Sequence, residues 1–529
     1  MASFEIYQRT PIMSINKSII KSTYVISVGT ILSRVLGFLR DIVIAGIFGT
    51  SFAAEAFVVA FRIPNLFRDL VGEGAVNAAV VPVFSEYIIK DEKEDFLRLA
   101  NITFYLSLVC LTVITLAGII FSPFIVRIIA PGFSDDIAKL NLTITLTRIM
   151  FPYLVLIGLT AYSMGILYSY KSFFSPAFSP AFLNISLIVC AIIGSLKFKE
   201  PVYGLAIGVL IGGILQLGFQ FPYLYKNGLR FKKITTFYHP GVKTVGRLLG
   251  PRIFGSAIYQ LNIFVDTICA SLSFIVGQGA VAAIYFSNRI IQFPLAVFGV
   301  ALASAALPTM SRLAAEGDKE NLKNVLSFSL RNIFLIMFPC TVILAVLSEP
   351  IIRVFFQRGQ FTAYSTTITS SALLFYSLGL FAFAGTKILS SCFYSLKDTR
   401  TPVKVAGLCL IINAILNVIL MFPLRVAGLA LASSVSALTN FFILSYILDK
   451  RIGRFAKEDL FSYIFRVILI SLGMGLAVYL LWSKFLLDFN TVLRLAIIMT
   501  IGAAIFILGC FVFRVDQIKE LFAWALKKK

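Results

Sequence analysis

The sequence predicts an all-α polytopic membrane protein of about fourteen transmembrane helices, built as two six-helix lobes plus two extra C-terminal helices. Three observations carry that prediction. The 529 residues are 59% hydrophobic and only 14% charged, with a mean hydropathy of +0.91, whereas soluble domains run at about 45–50% apolar and about 25% charged. Apolar stretches of about 20 residues, long enough to cross a hydrocarbon core as helices, recur along nearly the whole chain. The chain also repeats itself at a nearly constant offset. A membrane barrel is excluded, because barrel strands alternate over about ten residues and these runs do not.

Hydropathy places the spans, in order, at 20–48, 52–85, 99–127, 138–168, 178–196, 202–225, 245–272, 280–311, 322–347, 366–394, 402–421, 425–449, 461–483 and 491–513. The second is read as one long helix kinked at "VGEG", because an even total agrees with the charge of the loops. Lys and Arg crowd alternate loops: Lys90, Lys93 and Arg98, then Lys226 to Arg247, then Lys397, Arg400 and Lys404, then Lys450 to Lys457. Loops 48–53, 273–280 and 422–426 carry almost none. This positive-inside pattern predicts that both termini are cytoplasmic. It also accounts for the net charge of +22 as topology and contact with anionic membrane lipids, not nucleic acid. The first apolar run reads as the first span and not as a cleaved leader.

The repeat sets the domain organisation. "VVPVFSEY" at 80–87 matches "ALPTMSRL" at 306–313 with Pro82 and Pro308 in register. "FSPFIVRIIAPGF" at 121–133 matches "LSEPIIRVFFQRGQF" at 347–361, aligning Arg127 with Arg353. The offset stays near 222–227 residues. Six spans per unit give the two units one orientation, a parallel-repeat architecture used by transporters, with substrate handled between the halves. The expected domains are an N-terminal lobe, 1–226, a C-terminal lobe, 227–450, and a helix pair, 451–529.

Charge inside the spans is the functional signal. "SRVLGFLRDIVIAGIFG" at 33–49 holds Arg34, Arg40 and Asp41 in an otherwise apolar helix, although an arginine at mid-membrane costs about 2.5–3.5 kcal/mol to insert. The second span adds Glu55, Arg62, Arg68, Asp69 and Glu73; the second repeat adds Arg252, Asp266, Arg289, Arg331 and Lys387. Such groups face a bundle interior or a watery cavity. A guanidinium is always charged and grips phosphate through a two-pronged fork, so several of them suit an anion such as a diphosphate. Taken one at a time, each arginine is equally suited to a structural ion pair, as Arg62 and Arg68 with Glu55, Asp69 or Glu73. Gly29, Gly37, Gly46 and Gly49 are expected to let the first helix bend.

A second constellation joins Asp266 to Asn413 and Asn417, which are four apart and share a helix face, with Ser433 or Ser434 in reach. These oxygens suit a sodium ion, but the residues favour a plain interhelical hydrogen-bond cluster over it. The seven cysteines are scattered and no CxxC occurs, which excludes thiolate metal spacing. Enzyme chemistry has little support: Asp135 and Asp136 sit where they cap a helix, and His239, the single histidine, lies in a polar loop.

"SRVLGFLRD", "AFRIPNLFRDLVGEGA", "NRIIQFPLAVFGVALASAALP" and "FYSLKDTRTPVK" together resemble the MurJ (MviN) lipid II flippase family, within the superfamily of multidrug, oligosaccharidyl-lipid and polysaccharide exporters. The resemblance runs over essentially the whole chain. It implies a non-enzymatic transporter of the bacterial cytoplasmic membrane that moves lipid II, the undecaprenyl-diphosphate-linked peptidoglycan precursor, to the outer leaflet by alternating access. It implies that Arg34, Arg40, Arg68 and Arg289 match the family's cavity arginines, and that helices thirteen and fourteen shape a groove for the lipid tail. Glu55 stands where the family pattern commonly has aspartate, and with Arg62 completes the expected substrate-binding set. A coupling ion, sodium or proton, stays open, and the cell-wall synthesis machinery is a candidate partner. A sister exporter, of another polyprenyl-diphosphate sugar or of drugs, is the competing reading; drug cavities favour acidic groups, against the arginines here.

Overall fold

The computed structural model describes residues 12–68, 77–90, 93–230, 237–455, 458–485, 489–515 and 517–518. All regular structure among them is helical. In order, the helices are α1 (Ile12–Phe48), α2 (Phe52–Phe67), α3 (Asn77–Ile89), α4 (Lys93–Ile129), α5 (Ile137–Met150), α6 (Tyr153–Ser169), α7 (Phe174–Lys197) and α8 (Val202–Lys226). The second half continues with α9 (Pro240–Ser271), α10 (Ser273–Val276), α11 (Ala280–Pro294), α12 (Ala301–Glu316), α13 (Lys319–Val346) and α14 (Ser348–Phe356). It ends with α15 (Ala363–Ser377), α16 (Leu380–Ser395), α17 (Arg400–Leu424), α18 (Val426–Ile452), α19 (Glu458–Lys484) and α20 (Thr491–Val512).

Among the described residues, ten helical stretches are long and apolar enough to cross a membrane, and the bent pair α15–α16 makes an eleventh. Two of the ten join shorter helices: α5 with α6, and α11 with α12. The three remaining expected intervals hold α1, α2 with α3, and α9, which lie outside that count. The expected kink at "VGEG" falls on residues 71–74, outside the described residues.

Cα proximity divides the chain into two units. Unit 1 takes residues up to 48, 56–129 and 134–257; unit 2 takes 49–55, 130–133 and everything from 258. In unit 1, α7 packs on α1 and α8, and α6 on α3, α4 and α8. Its core gathers Phe84, Phe96, Leu99, Tyr162 and Leu167, with Val245 from the start of α9. The Tyr162 hydroxyl donates to the Ala100 carbonyl at 2.5 Å, so its polar end is satisfied in that core. In unit 2, α18 packs on α15, α16 and α17, and α13 packs on α16 and α19. The C-terminal pair α19–α20 is thereby part of unit 2.

The repeat extends to backbone detail. Tyr168-Ser169-Tyr170-Lys171 and Tyr394-Ser395-Leu396-Lys397 end α6 and α16 with the same turn, each lysine at positive φ (56° and 60°). In both, the lysine amide donates to the tyrosine carbonyl, and the next amide reaches back to close the helix end.

Two of the four glycines expected to bend α1 have other roles. At Gly29 a Cβ would lie 2.6 Å from the Ala177 carbonyl oxygen, so its smallness lets α1 and α7 touch. Gly49 follows the end of α1 at φ +57°, where only glycine is free of strain, and a Cβ there would meet the Gln360 carbonyl oxygen at 2.2 Å.

Candidate functional site

α1 carries its charges inside unit 1. Arg34 is exposed; Arg40 and Asp41 are buried. The Arg40 Nε and Nη2 donate to Asp41 Oδ1 at 3.0 and 2.8 Å, and Nη1 donates to Asn184 Oδ1 on α7 at 3.0 Å. The Asn184 amide in turn donates to the Ser33 carbonyl at 3.1 Å. One side chain therefore ties α7 to two points of α1 that are about two turns apart. Sequence reasoning expects Arg40 as an open phosphate ligand. Here its donors are taken up by a carboxylate and an amide, so an arriving phosphate would have to displace or share them. Arg34 is the exposed guanidinium of α1.

Arg62 and Arg68 are half-buried on α2 and just beyond it, each engaged with neighbouring groups. Asp69, Glu73 and the side chain of Arg252 lie outside the described residues. Glu55, at the start of α2, belongs to unit 2. Its buried carboxylate accepts the Val281 amide at 2.9 Å, at the first turn of α11, where a helix N-terminus favours negative charge. Beside it in unit 2, the Thr50 and Ser365 hydroxyls share a 2.8 Å hydrogen bond, and the Gly132 amide donates to Ser271 Oγ at 3.1 Å.

Arg289 on α11 is oriented by its own helix. Its Nη2 donates to the Tyr285 hydroxyl at 3.1 Å, and its guanidinium lies over the Tyr285 ring, 4.8 Å from the centroid. Nη1 reaches Gln292 Oε1 at 3.5 Å, and Gln292 in turn donates to Asn288. One turn on, Leu295–Val300 winds as a π-helix, a local widening that recurs at functional sites.

Asp266, Asn413 and Asn417 meet in a buried node of unit 2. The Asn417 amide donates to Asp266 Oδ1 at 2.8 Å and to Asn413 Oδ1 at 2.7 Å. Ser433 Oγ donates to Asp266 Oδ2 at 3.0 Å and accepts from the Asn413 amide at 3.2 Å. Ser434 turns away and donates to the Phe375 carbonyl. The remaining acceptor, Asn417 Oδ1, is buried without a hydrogen-bond partner. Carboxylate, amide and hydroxyl oxygens converging in this way are the hard donor set that small cations take. Among the described residues no group of three His, Cys, Asp or Glu side chains forms a metal cluster.

Outside the spans, Asp136 caps α5, accepting the Lys139 amide at 3.1 Å. Asp398 accepts the amides of Arg400 and Thr401 at 3.0 Å, the Thr401 hydroxyl at 2.7 Å, and the Arg451 guanidinium. Burial opposes its ionisation, but these donors prevail and hold the carboxyl down at about 2. His239 departs from the polar-loop expectation. It is buried against Tyr87, accepts the Gly241 amide on Nδ1 at 3.1 Å, and places Nε2 3.3 Å from Asp95. No periodicity or spacing in the sequence signals that pairing.

Comparison with known proteins fixes the family. Residues 44–510 match the family model described as "Lipid II flippase MurJ". The chain is 35% identical over 501 residues to the "Probable lipid II flippase MurJ" of Buchnera aphidicola subsp. Schizaphis graminum, covering 93% of this chain and 96% of that one. It superposes with a TM-score of 0.78 on a solved "Lipid II flippase MurJ, inward closed conformation", at 26% identity over 93% of this chain and 99% of that one. An inward-facing multidrug MATE transporter of the MOP superfamily shares the fold at a TM-score of 0.69 and 16% identity, over 80% and 96% of the two chains. An arginine-bearing first helix, an internal sequence repeat and a match across most of the length thus agree: the chain belongs to the MurJ lipid II flippase family, multi-pass membrane transporters and not enzymes.

Proposed function

We propose that the chain carries lipid II from the cytoplasmic to the outer leaflet of the bacterial inner membrane by alternating access, supplying precursor for the cell wall. The observation that carries this reading is the family match over residues 44–510, joined to guanidiniums in helices that are otherwise apolar. Arg34, Arg68 and Arg289 grip the diphosphate by charge-assisted hydrogen bonds, and Arg62 belongs to the same substrate-binding set. Arg40, held by Asp41 and Asn184, places α1 and lends its charge to the same anion. Glu55 holds the start of α11, a contact made in one state of the cycle and released in the other. The repeats 1–226 and 227–450 act as the two moving bodies, segment 451–529 receives the lipid tail, and both termini are cytoplasmic, as the loop charge requires.

The node of Asp266, Asn413, Asn417 and Ser433 binds the coupling cation, for which sodium fits the oxygen donors. What supports this is the buried Asn417 oxygen left without a hydrogen-bond partner.

The test is protection of lipid II in intact cells against an added enzyme that cuts the diphosphate link. Shutting off this protein as the only flippase should render lipid II resistant. Continued cleavage after shut-off overturns the assignment.

A further inference from the structure

Arg331, unexplained by the transport reading, lies on α13 where α19 crosses it. Its guanidinium sits over the Tyr463 ring, 5.6 Å from the centroid, while the Tyr463 hydroxyl donates to the Arg331 carbonyl at 3.0 Å. Its Nε is buried with no hydrogen-bond partner. On the same helix as Tyr463 and three residues on, near enough for side chains to meet, Arg466 donates to Ser462 Oγ at 3.2 Å and to the Phe513 carbonyl at the end of α20 at 3.4 Å. The next residue, Arg514, is exposed and held at φ +53°. Arg331 thus lies on Tyr463, Arg466 reaches the end of α20 from the same helix as Tyr463, and Arg514 follows the carbonyl that Arg466 holds. Among the described residues none of the three forms an ion pair; their partners are a ring, a hydroxyl and a carbonyl.

Depth narrows the ligand. A span needs about 20 residues, and counting back from the far ends of α13 and α19 puts the near edge of the hydrocarbon at about residues 327 and 465. Arg331 then lies about 6 Å inside that edge, Tyr463 and Arg466 lie on it, and Arg514 just outside, past the end of α20. Loop charge makes this the cytoplasmic side. Headgroup phosphates lie at that level, and basic pockets between cytoplasmic helix ends bind anionic lipid heads.

We propose that Arg331, Arg466 and Arg514 form a binding site for the phosphate headgroup of an anionic phospholipid of the inner leaflet. The lipid occupies unit 2 alone and braces α19 and α20 against α13. The site is separate from the arginines assigned to the lipid II diphosphate; Arg466 and Arg514 lie within the segment assigned to its tail, and the proposal does not depend on that assignment.

The test uses purified full-length protein in neutral detergent, with phosphatidylglycerol, phosphatidylcholine and undecaprenyl diphosphate as probes, read by native mass spectrometry and thermal shift. Wild-type protein should bind phosphatidylglycerol saturably and gain thermal stability, with little response to phosphatidylcholine. Arg331→Gln with Arg466→Gln should weaken phosphatidylglycerol binding by about 10-fold, as loss of charge-assisted bonds implies. Arg514→Gln, at an exposed position that leaves packing intact, should weaken it in the same direction and supplies the readout if the double variant does not fold. Equal phosphatidylglycerol affinity in the variants overturns the proposal. So does a loss confined to undecaprenyl diphosphate, which would make these arginines part of the substrate path.

Discussion

Two buried polar nodes occupy the same relation of helices in the two repeats, the first span of a repeat against the fifth, and they solve it with different chemistry. In unit 1, α1 meets α7 through Arg40, Asp41 and Asn184; in unit 2, α9 meets α17 and α18 through Asp266, Asn413, Asn417 and Ser433. The first carries its own counter-charge one residue away, so the pair travels with α1 as a neutral unit and α7 is held by an amide. The second surrounds a carboxylate with amides and a hydroxyl drawn from two other helices. The shared fold dictates where a polar junction falls but leaves its charge free to diverge.

Removing the guanidiniums should break the comparison most severely. Arg34→Ala and Arg289→Ala should each abolish growth of a flippase-depleted bacterium while membrane levels of the protein stay normal; Arg40→Ala should abolish it too, with a loss of stability because the buried Asp41 loses the Arg40 guanidinium. Full growth with all three alanines would count against any role in gripping substrate.

Arg40 then separates two roles. Asp41→Ala leaves a buried guanidinium without its carboxylate and should cost about 3–5 kcal/mol of stability, whereas replacing both partners together (Arg40→Met, Asp41→Leu) should recover most of that. Thermal unfolding measures the recovery. If Arg40 lends its charge to the diphosphate as proposed, growth should stay lost in the double variant; restored growth would make Arg40 purely structural.

In unit 2, Asp266→Asn should abolish stabilisation by sodium, which for ligand at a hundred times its dissociation constant amounts to about 2.7 kcal/mol. Wild-type unfolding that is equally insensitive to sodium and potassium would reduce the node to a hydrogen-bond junction.

The smallest effect concerns Asp398 at the junction of α17 with the end of α18. Its carboxyl is depressed to about 2, so its contribution is present above the ordinary carboxylate value near 4 and lost as pH falls from there towards 2. Asp398→Asn should flatten that part of the stability–pH curve. An unchanged curve would remove the carboxylate from the clamp.

Much of the fold was legible because hydropathy is local: the apolar intervals from "NITFYLSLVCLTVITLAGII" to "LAIIMTIGAAIFILGCFV" need no partner to be recognised. The i, i+4 spacing of Asn413 and Asn417 likewise named a shared face, and the structure adds that Ser433, not Ser434, completes the set. What stayed hidden depends on tertiary contact. Nothing in "FLRDIV" says that Arg40 is engaged by its neighbour and by an amide on α7, 144 residues away. Nothing in "FYHPG" says that His239 is buried beside Asp95. Gly29 reads as a hinge in sequence because the Ala177 backbone that demands its smallness lies on another helix.

The most direct test of the account is the protection assay run on variants. Cells whose only flippase carries Arg34→Ala and Arg289→Ala, at wild-type membrane levels, are exposed to the external diphosphate-cleaving enzyme. The account predicts lipid II that resists cleavage, against prompt cleavage in cells with the unaltered chain. Cleavage at the wild-type rate would contradict it, since the diphosphate would then be crossing without the guanidiniums assigned to carry it.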